Sequence, residues 1–364
     1  MGSVARRLPD FPWDRLAPYR EQAARHPDGV VDLSIGTPVD PTPEVVQQAL
    51  RDASDAPGYP TVWGTVQLRA SIIGYLERRC GSVALTDDCV LPTLGSKELV
   101  AALPAQLGVG AGDTVLIPEI AYPTYAVGGL LAGAALVPSD STLSVGPRRV
   151  SLIWLNSPGN PTGRVLPVDH LRKVVTWARE RGAVVASDEC YFEFGWEAEP
   201  VSVLDPAVNG GSLDSIVAVH SLSKRSNVAG YRAAFIAGDP RLVGELREIR
   251  RHAGAMVPMP VQQAMCAALD DDGHVEVQRK RYLARRTALR RSLRSAGFRI
   301  DHSEGSLYLW ATRDEPCMQT VGWCAERGIV VAPGDFYGSA GDRHIRVALT
   351  ATDERIGSAV SRLD

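Results

Sequence analysis

Between residues 89 and 238, short apolar runs rich in β-branched residues alternate with amphipathic segments of helical length, and this alternation narrows the possible folds more than any other feature. CVLPT precedes SKELVAALPAQL; DTVLIP precedes the uncharged stretch AYPTYAVGGLLAGAALV; SLIWLN precedes VDHLRKVVTWARERG; AVVASDE, SIVAVHS and YRAAFIAG follow. Strands without polar alternation are buried on both faces, and helical connections between them are what parallel pairing requires. The expected architecture is α/β, a mostly parallel sheet flanked by helices, with its chemistry at the carboxyl ends of the strands. After Pro240 come two long helices, PRLVGELREIRRHAG and VEVQRKRYLARRTALRRSLRSAG, then short strands (FRI, SLYLWAT, IVVAP, HIRVALT) around the helix PCMQTVGWCAERG. That pattern reads as a smaller α+β domain. The expected division is a large domain over 31–245 and a small one from 1–30 and 246–364, joined by continuous helix.

Composition excludes several function classes. Of 364 residues, 45% are hydrophobic and 22% charged, so the chain is expected to fold throughout. A net charge of −3 supplies no positive field for a polyanion, and no nucleic-acid partner is expected. In the arginine-rich helix from Arg279 to Arg294, Tyr282, Leu289 and Leu293 form one apolar stripe, so the arginines read as a solvated face. The stretch from Ala121 to Val137 carries no charge, yet it is shorter than the roughly 20 apolar residues of a membrane span. It also holds Gly128, Gly129 and Gly133, and reads as a helix buried under the sheet. Arg6 and Arg7 lead into LPDFPWD without a secretory apolar segment, so export is not expected. Cys80, Cys89, Cys190, Cys266, Cys317 and Cys324 are scattered without CxxC or paired-histidine spacing, and read as reduced packing residues of a cytoplasmic protein with no metal site. GVGAG over 108–112 follows a helix and precedes a strand, the reverse of dinucleotide-site order.

The chemistry gathers at strand ends. In SLSKRSNVAGYR, Lys224 follows the buried run SIVAVH and sits in a small-residue loop. There it loses hydration that keeps an amine protonated, and a neutral amine attacks carbonyls. Asp188 ends the strand AVVASD, where a buried carboxylate needs a cationic partner. The protonated ring nitrogen of pyridoxal phosphate is such a partner. Tyr191, alone a core aromatic, and Asn160 in NSPGNPTG, alone a turn residue, could both reach the ring hydroxyl of that cofactor. Gly95, Ser96 and Lys97 stand where a strand enters a helix, so free N–H groups and the helix dipole face an anion. The GxxxxGK[ST] spacing is absent, which excludes a Walker loop. Ser221, Ser223 and Arg232 would close a phosphate cradle from the opposite side, Arg232 by a forked contact.

These motifs occur in one order along nearly the whole chain: GYPTVWGTVQLR (Tyr59, Gly64), GSKE (Gly95 to Glu98), AYPTY (Tyr122), NSPGNPTG (Asn160), SDECY (Asp188, Tyr191), SLSKRSNVAGYR (Ser221, Lys224, Arg232) and HIRVAL (Arg346). In them the chain resembles the class I and II aminotransferases of pyridoxal-phosphate fold type I. The resemblance implies that Lys224 bonds the cofactor aldehyde, that Asp188 and Tyr122 complete the catalytic set with Tyr122 stacked on the ring, and that Arg346, with Asn160 and Gly36, binds the substrate. It further implies a homodimer in which Tyr59 reaches the phosphate of the neighbouring subunit, with amino-acid and 2-oxo-acid substrates. VDLSIGTPVDP, APGYP, AVHSLSK, AEPVSVL, LYLWATR, VAPGDFYG and HIRVALTATDER are most similar to the N-succinyldiaminopimelate aminotransferases of actinobacteria. A lyase on the same scaffold would carry the same cofactor residues. A ligand-sensing regulator of this fold would need a DNA-binding module for which the chain has no room.

Overall fold

The computed structural model of the protein describes residues 8–9, 12–146 and 148–363. Seven strands form the main sheet, in the order Val90–Leu94, Ala233–Gly238, Ile216–Ser221, Val184–Asp188, Val150–Asn156, Thr114–Ile117 and Ala135–Pro138. Ala233–Gly238 runs antiparallel to both its neighbours, and every other pairing is parallel. Alternate residues of one strand serve opposite layers, which is why these runs lack polar positions. Ile153, Leu155, Val185, Ile216 and Ala218 pack with helices Val66–Cys80, Val168–Glu180 and Met259–Asp270. Leu152, Trp154, Ala186, Val217 and Val219 pack with Ser96–Gln106, Thr124–Ala132 and Pro240–His252.

The segment from Ala121 to Val137 departs from expectation. Only Thr124–Ala132 is helical; Gly133 closes it at φ +80°, a left-handed conformation that side chains disfavour. The remainder, Ala135–Pro138, is a half-exposed edge strand beside Thr114–Ile117. No helix among the described residues is long and apolar enough to cross a membrane.

A four-stranded antiparallel sheet, in the order Ala332–Pro333, His344–Ala348, Tyr308–Thr312 and Arg299–Asp301, organises the second part of the molecule. Packing departs from the expected division at both joins. Val31–Asp32 pairs in parallel with Ile329–Val330, and Val31 and Leu33 enter the core of the smaller sheet. Met259–Asp270 buries Ala264, Met265, Ala268 and Leu269 in the core of the large one. Helical periodicity shows which face is apolar, not which sheet covers it. The join is also not one continuous helix, because Pro240–His252, Met259–Asp270 and Gly273–Ser295 are separate elements.

The arginine-rich helix needs a second correction. Arg285 and Arg286 are buried, at 3% and 4% exposure. Arg285 forks onto Asp40 at 2.8 and 2.7 Å and reaches Asp353, while Arg286 bonds Glu197 and the Ser303 carbonyl. Paired carboxylates make that burial tolerable.

Candidate active site

Parallel pairing aligns Asn156 with Asp188, so the loop after Asn156 and the strand end at Asp188 meet at one edge of the sheet. Asp188 is buried; its Oδ2 accepts from the Tyr125 hydroxyl at 2.8 Å and its Oδ1 from the Cys190 N–H at 3.1 Å. Burial pushes its pKa up, against the pull of those bonds and of nearby His220. Neither hydrogen-bond donor carries a charge. Tyr125 is itself held by stacking on Trp154 at 4.9 Å.

Lys224 lies in the short helix Leu222–Arg225, capped by Ser221, whose Oγ accepts the Ser223 N–H at 3.2 Å. Its Nζ donates to the backbone carbonyl of Gly36. Burial lowers its pKa to about 8, and the fields of Arg346 and Arg232 push the same way. Both arginines therefore lie close enough to matter to the amine.

Gly95 precedes the helix Ser96–Gln106 at φ +84°, and a Cβ there would stand 2.7 Å from Arg232 Cζ. Arg232 is itself left-handed, at φ +55°, a placement that costs a non-glycine residue about 1–2 kcal/mol. The result is a guanidinium packed against the start of a helix, where free N–H groups gather. Ser96 starts the same helix, and the Lys97 side chain that follows it is exposed.

Arg346 is 3% exposed on the strand His344–Ala348. It donates to Asn160 Oδ1 at 2.8 Å and to the Ser34 carbonyl at 2.6 Å, and its Nε has no partner. Both acceptors are neutral, so this buried cation has no counter-ion among the described residues. Tyr191 exchanges a hydrogen bond of 2.8 Å with the Tyr308 hydroxyl. Tyr122 stands edge-on to Tyr125 at 5.7 Å, its pKa pushed up to about 12 by burial. Tyr59 stays outside the cluster, 96% exposed.

Sequence reasoning missed three members. Cys190 neighbours Asp188, Ser96 and Lys224 rather than serving only as packing, and burial pushes its thiol pKa well up. Tyr125 lies three residues past Tyr122, and that nearness is the one signal the sequence held for it. Tyr308 opens an apolar strand, where its residue type reads as core.

The site thus holds an unneutralised buried cation, a buried carboxylate bonded only by neutral donors, and a depressed lysine, with an arginine against a helix start. Residues 28–363 match the family model "Aminotransferase class I and II". The chain belongs to that family. Its members are pyridoxal-phosphate-dependent, and the residues present fit the cofactor: among the described residues no cation bonds Asp188, a place that a pyridinium fills, and the Gly95–Arg232 corner suits a phosphate. A probable aminotransferase of Mycobacterium tuberculosis is 58% identical over 362 residues, covering 100% of this chain and 87% of that protein. The 4-dedimethylamino-4-oxo-anhydrotetracycline transaminase OxyQ of Streptomyces rimosus is also 58% identical, over 98% of this chain and 99% of its own. An LL-diaminopimelate aminotransferase of Gloeobacter violaceus is 31% identical, over 96% of each chain. Among solved structures, an aminotransferase from Neisseria meningitidis superposes with a TM-score of 0.89 at 29% identity, covering 100% of this chain and 98% of the other.

Proposed function

We propose that this aminotransferase exchanges the α-amino group of N-succinyl-LL-2,6-diaminopimelate with 2-oxoglutarate through a site held by Lys224, Asp188 and Arg346. The observation that carries a carboxylate-bearing substrate is Arg346, buried among neutral partners with hydrogen-bonding capacity to spare. An uncompensated buried guanidinium is costly, and a substrate carboxylate offsets that cost by forked bonds. The diaminopimelate assignment draws on the motif resemblance and, more distantly, on the Gloeobacter relative.

When bound, pyridoxal phosphate supplies an electron-accepting ring that stabilises negative charge on the substrate α-carbon. Lys224, with its lowered pKa, would hold the cofactor at its aldehyde carbon and, as a neutral amine, would carry the proton away from the substrate α-carbon. Asp188, steadied by Tyr125 and the Cys190 amide, would hold the ring nitrogen in its cationic form. Gly95, Ser96 and Lys97 amides, Ser221, Ser223 and Arg232 would hold the phosphate; Tyr191 and Asn160 would serve the ring oxygen, and Tyr122 would pack on the ring. Gly36 and Asn160 line the substrate side with Arg346. In a homodimer, Tyr59 would add its hydroxyl to the neighbouring phosphate.

A second reading is favoured by the full-length 58% identity to the tetracycline-pathway enzyme: an amino-group transfer to a polycyclic ketone. Half-reactions separate the two. Mixed singly with the aldehyde form, N-succinyl-LL-diaminopimelate and glutamate should both bleach its absorbance. Bleaching by glutamate alone, with the amine form then discharged by 4-dedimethylamino-4-oxo-anhydrotetracycline, would establish the second reading and refute the first.

A further inference from the structure

Tyr308 opens the strand Tyr308–Thr312 and is 2% exposed. Its ring lies under the Arg346 guanidinium, with Cζ 4.1 Å from the ring centroid. Its hydroxyl meets the Tyr191 hydroxyl at 2.8 Å, with the two rings edge-on at 5.5 Å. Its ring also fills the space beside Gly36, where an added Cβ would come within 2.7 Å of Tyr308 Cζ. Gly36 in turn offers its carbonyl to Lys224. One side chain from the smaller sheet therefore touches three residues assigned to the site, and it faces both the cofactor side and the substrate side.

We infer that Tyr308 is a positioning residue for this reaction, setting the plane of Arg346 for the substrate carboxylate and the direction of the Tyr191 hydroxyl proton. The inference rests on the roles proposed above for Arg346 and Tyr191. Among the described residues the guanidinium makes two hydrogen bonds, both to neutral acceptors, so the rings against it supply much of its restraint, Tyr308 at 4.1 Å more closely than Tyr337 at 5.0 Å. A guanidinium held flat leaves its donor edge aimed in one direction, which a forked carboxylate contact needs. Proton arithmetic governs the second role. Each phenol has one proton, so when Tyr308 donates to Tyr191, Tyr191 keeps its own for an acceptor in the site. Removing the Tyr308 hydroxyl lets the Tyr191 proton turn elsewhere.

The test compares holoenzymes of Tyr308→Phe, Tyr308→Leu and Arg346→Leu by two readouts: the Kd of 2-oxoglutarate for the aldehyde form, and the pH midpoint of the cofactor absorbance. A donor to the ring oxygen favours the high-pH form, in which that oxygen is most negative, so misdirecting it raises the midpoint. Tyr308→Phe keeps the platform; its midpoint should rise by about half a unit or more, with Kd within about twofold of wild type. Tyr308→Leu should also weaken 2-oxoglutarate by about tenfold. Arg346→Leu should weaken it by about a hundredfold. If both Tyr308 variants keep wild-type Kd and midpoint while Arg346→Leu loses affinity, Tyr308 is packing alone and the inference falls. If Arg346→Leu also binds normally, the assignment of Arg346 falls and takes the inference with it. Should Tyr308→Leu not accumulate as folded protein, the Tyr308→Phe midpoint decides, and an unmoved midpoint overturns the role.

Discussion

With its pKa lowered from 10.5 to about 8, Lys224 binds fewer protons in the folded apoprotein than in the unfolded chain between those two values. Where the unfolded state binds more protons, stability rises with pH. The apoprotein should therefore gain stability from pH 8 to 10.5 relative to Lys224→Met, measured as the difference between their denaturant midpoints at each pH; parallel profiles would refute the lowered pKa. Asp188 has the opposite sign. Burial raises its pKa, so the folded state binds more protons than the unfolded chain just above 3.8, and stability falls as pH climbs through that window. Asp188→Asn should thus melt higher than wild type as apoprotein at neutral pH, while kcat of the reconstituted variant drops by about a hundredfold or more. A lower melting temperature would mean that Tyr125 and the Cys190 amide already compensate the charge. Lys224 and Asp188 drew notice in the sequence because Asp188 ends an apolar run and Lys224 lies just past another. Tyr125 and Tyr308 were not, since a buried tyrosine in an apolar segment looks like core until its hydroxyl partner is known.

At the scale of elements, the helix Ser96–Gln106 shows how backbone conformation builds a binding corner. Gly95 must be glycine for two reasons, its φ of +84° and the Arg232 guanidinium filling its Cβ position. Gly95→Ala would push Arg232 away and strain the entry to the helix. Apoprotein carrying it should bind pyridoxal phosphate about tenfold or more weakly, while binding of pyridoxal, which lacks the phosphate, stays near wild type. Equal losses for both ligands would place the damage in the fold instead. Strands and helices of the main sheet were legible because burial on two faces leaves uninterrupted apolar runs. The half-exposed edge strand Ala135–Pro138 was not, because Gly133 cuts an uncharged stretch that reads as one helix. The pairing of Arg285 with Asp40 was equally hidden, as its partner lies 245 residues away.

At the scale of the whole molecule, one chain leaves Tyr59 standing in solvent at 96% exposure, with Val39 at 53% and Val66 at 70% in the same region of sequence. A single sequence gives no register for a second copy, so the expectation of a shared site comes from family resemblance alone. If Tyr59 serves the neighbouring subunit, the two sites of a dimer divide the labour asymmetrically in mixed assemblies. Lys224→Ala is inactive in its own site but still lends an intact Tyr59; Tyr59→Phe keeps its own lysine but lends no hydroxyl and should weaken cofactor binding by about tenfold. Each hybrid dimer then contains one site with both groups intact. Random 1:1 re-association yields such a site in about a quarter of all positions. At cofactor concentrations that saturate wild type but not Tyr59→Phe, the mixture should exceed the mean of the two parent activities. A mixture that never rises above that mean, although subunit exchange is verified by native mass spectrometry, would show that Tyr59 acts within its own chain or not at all.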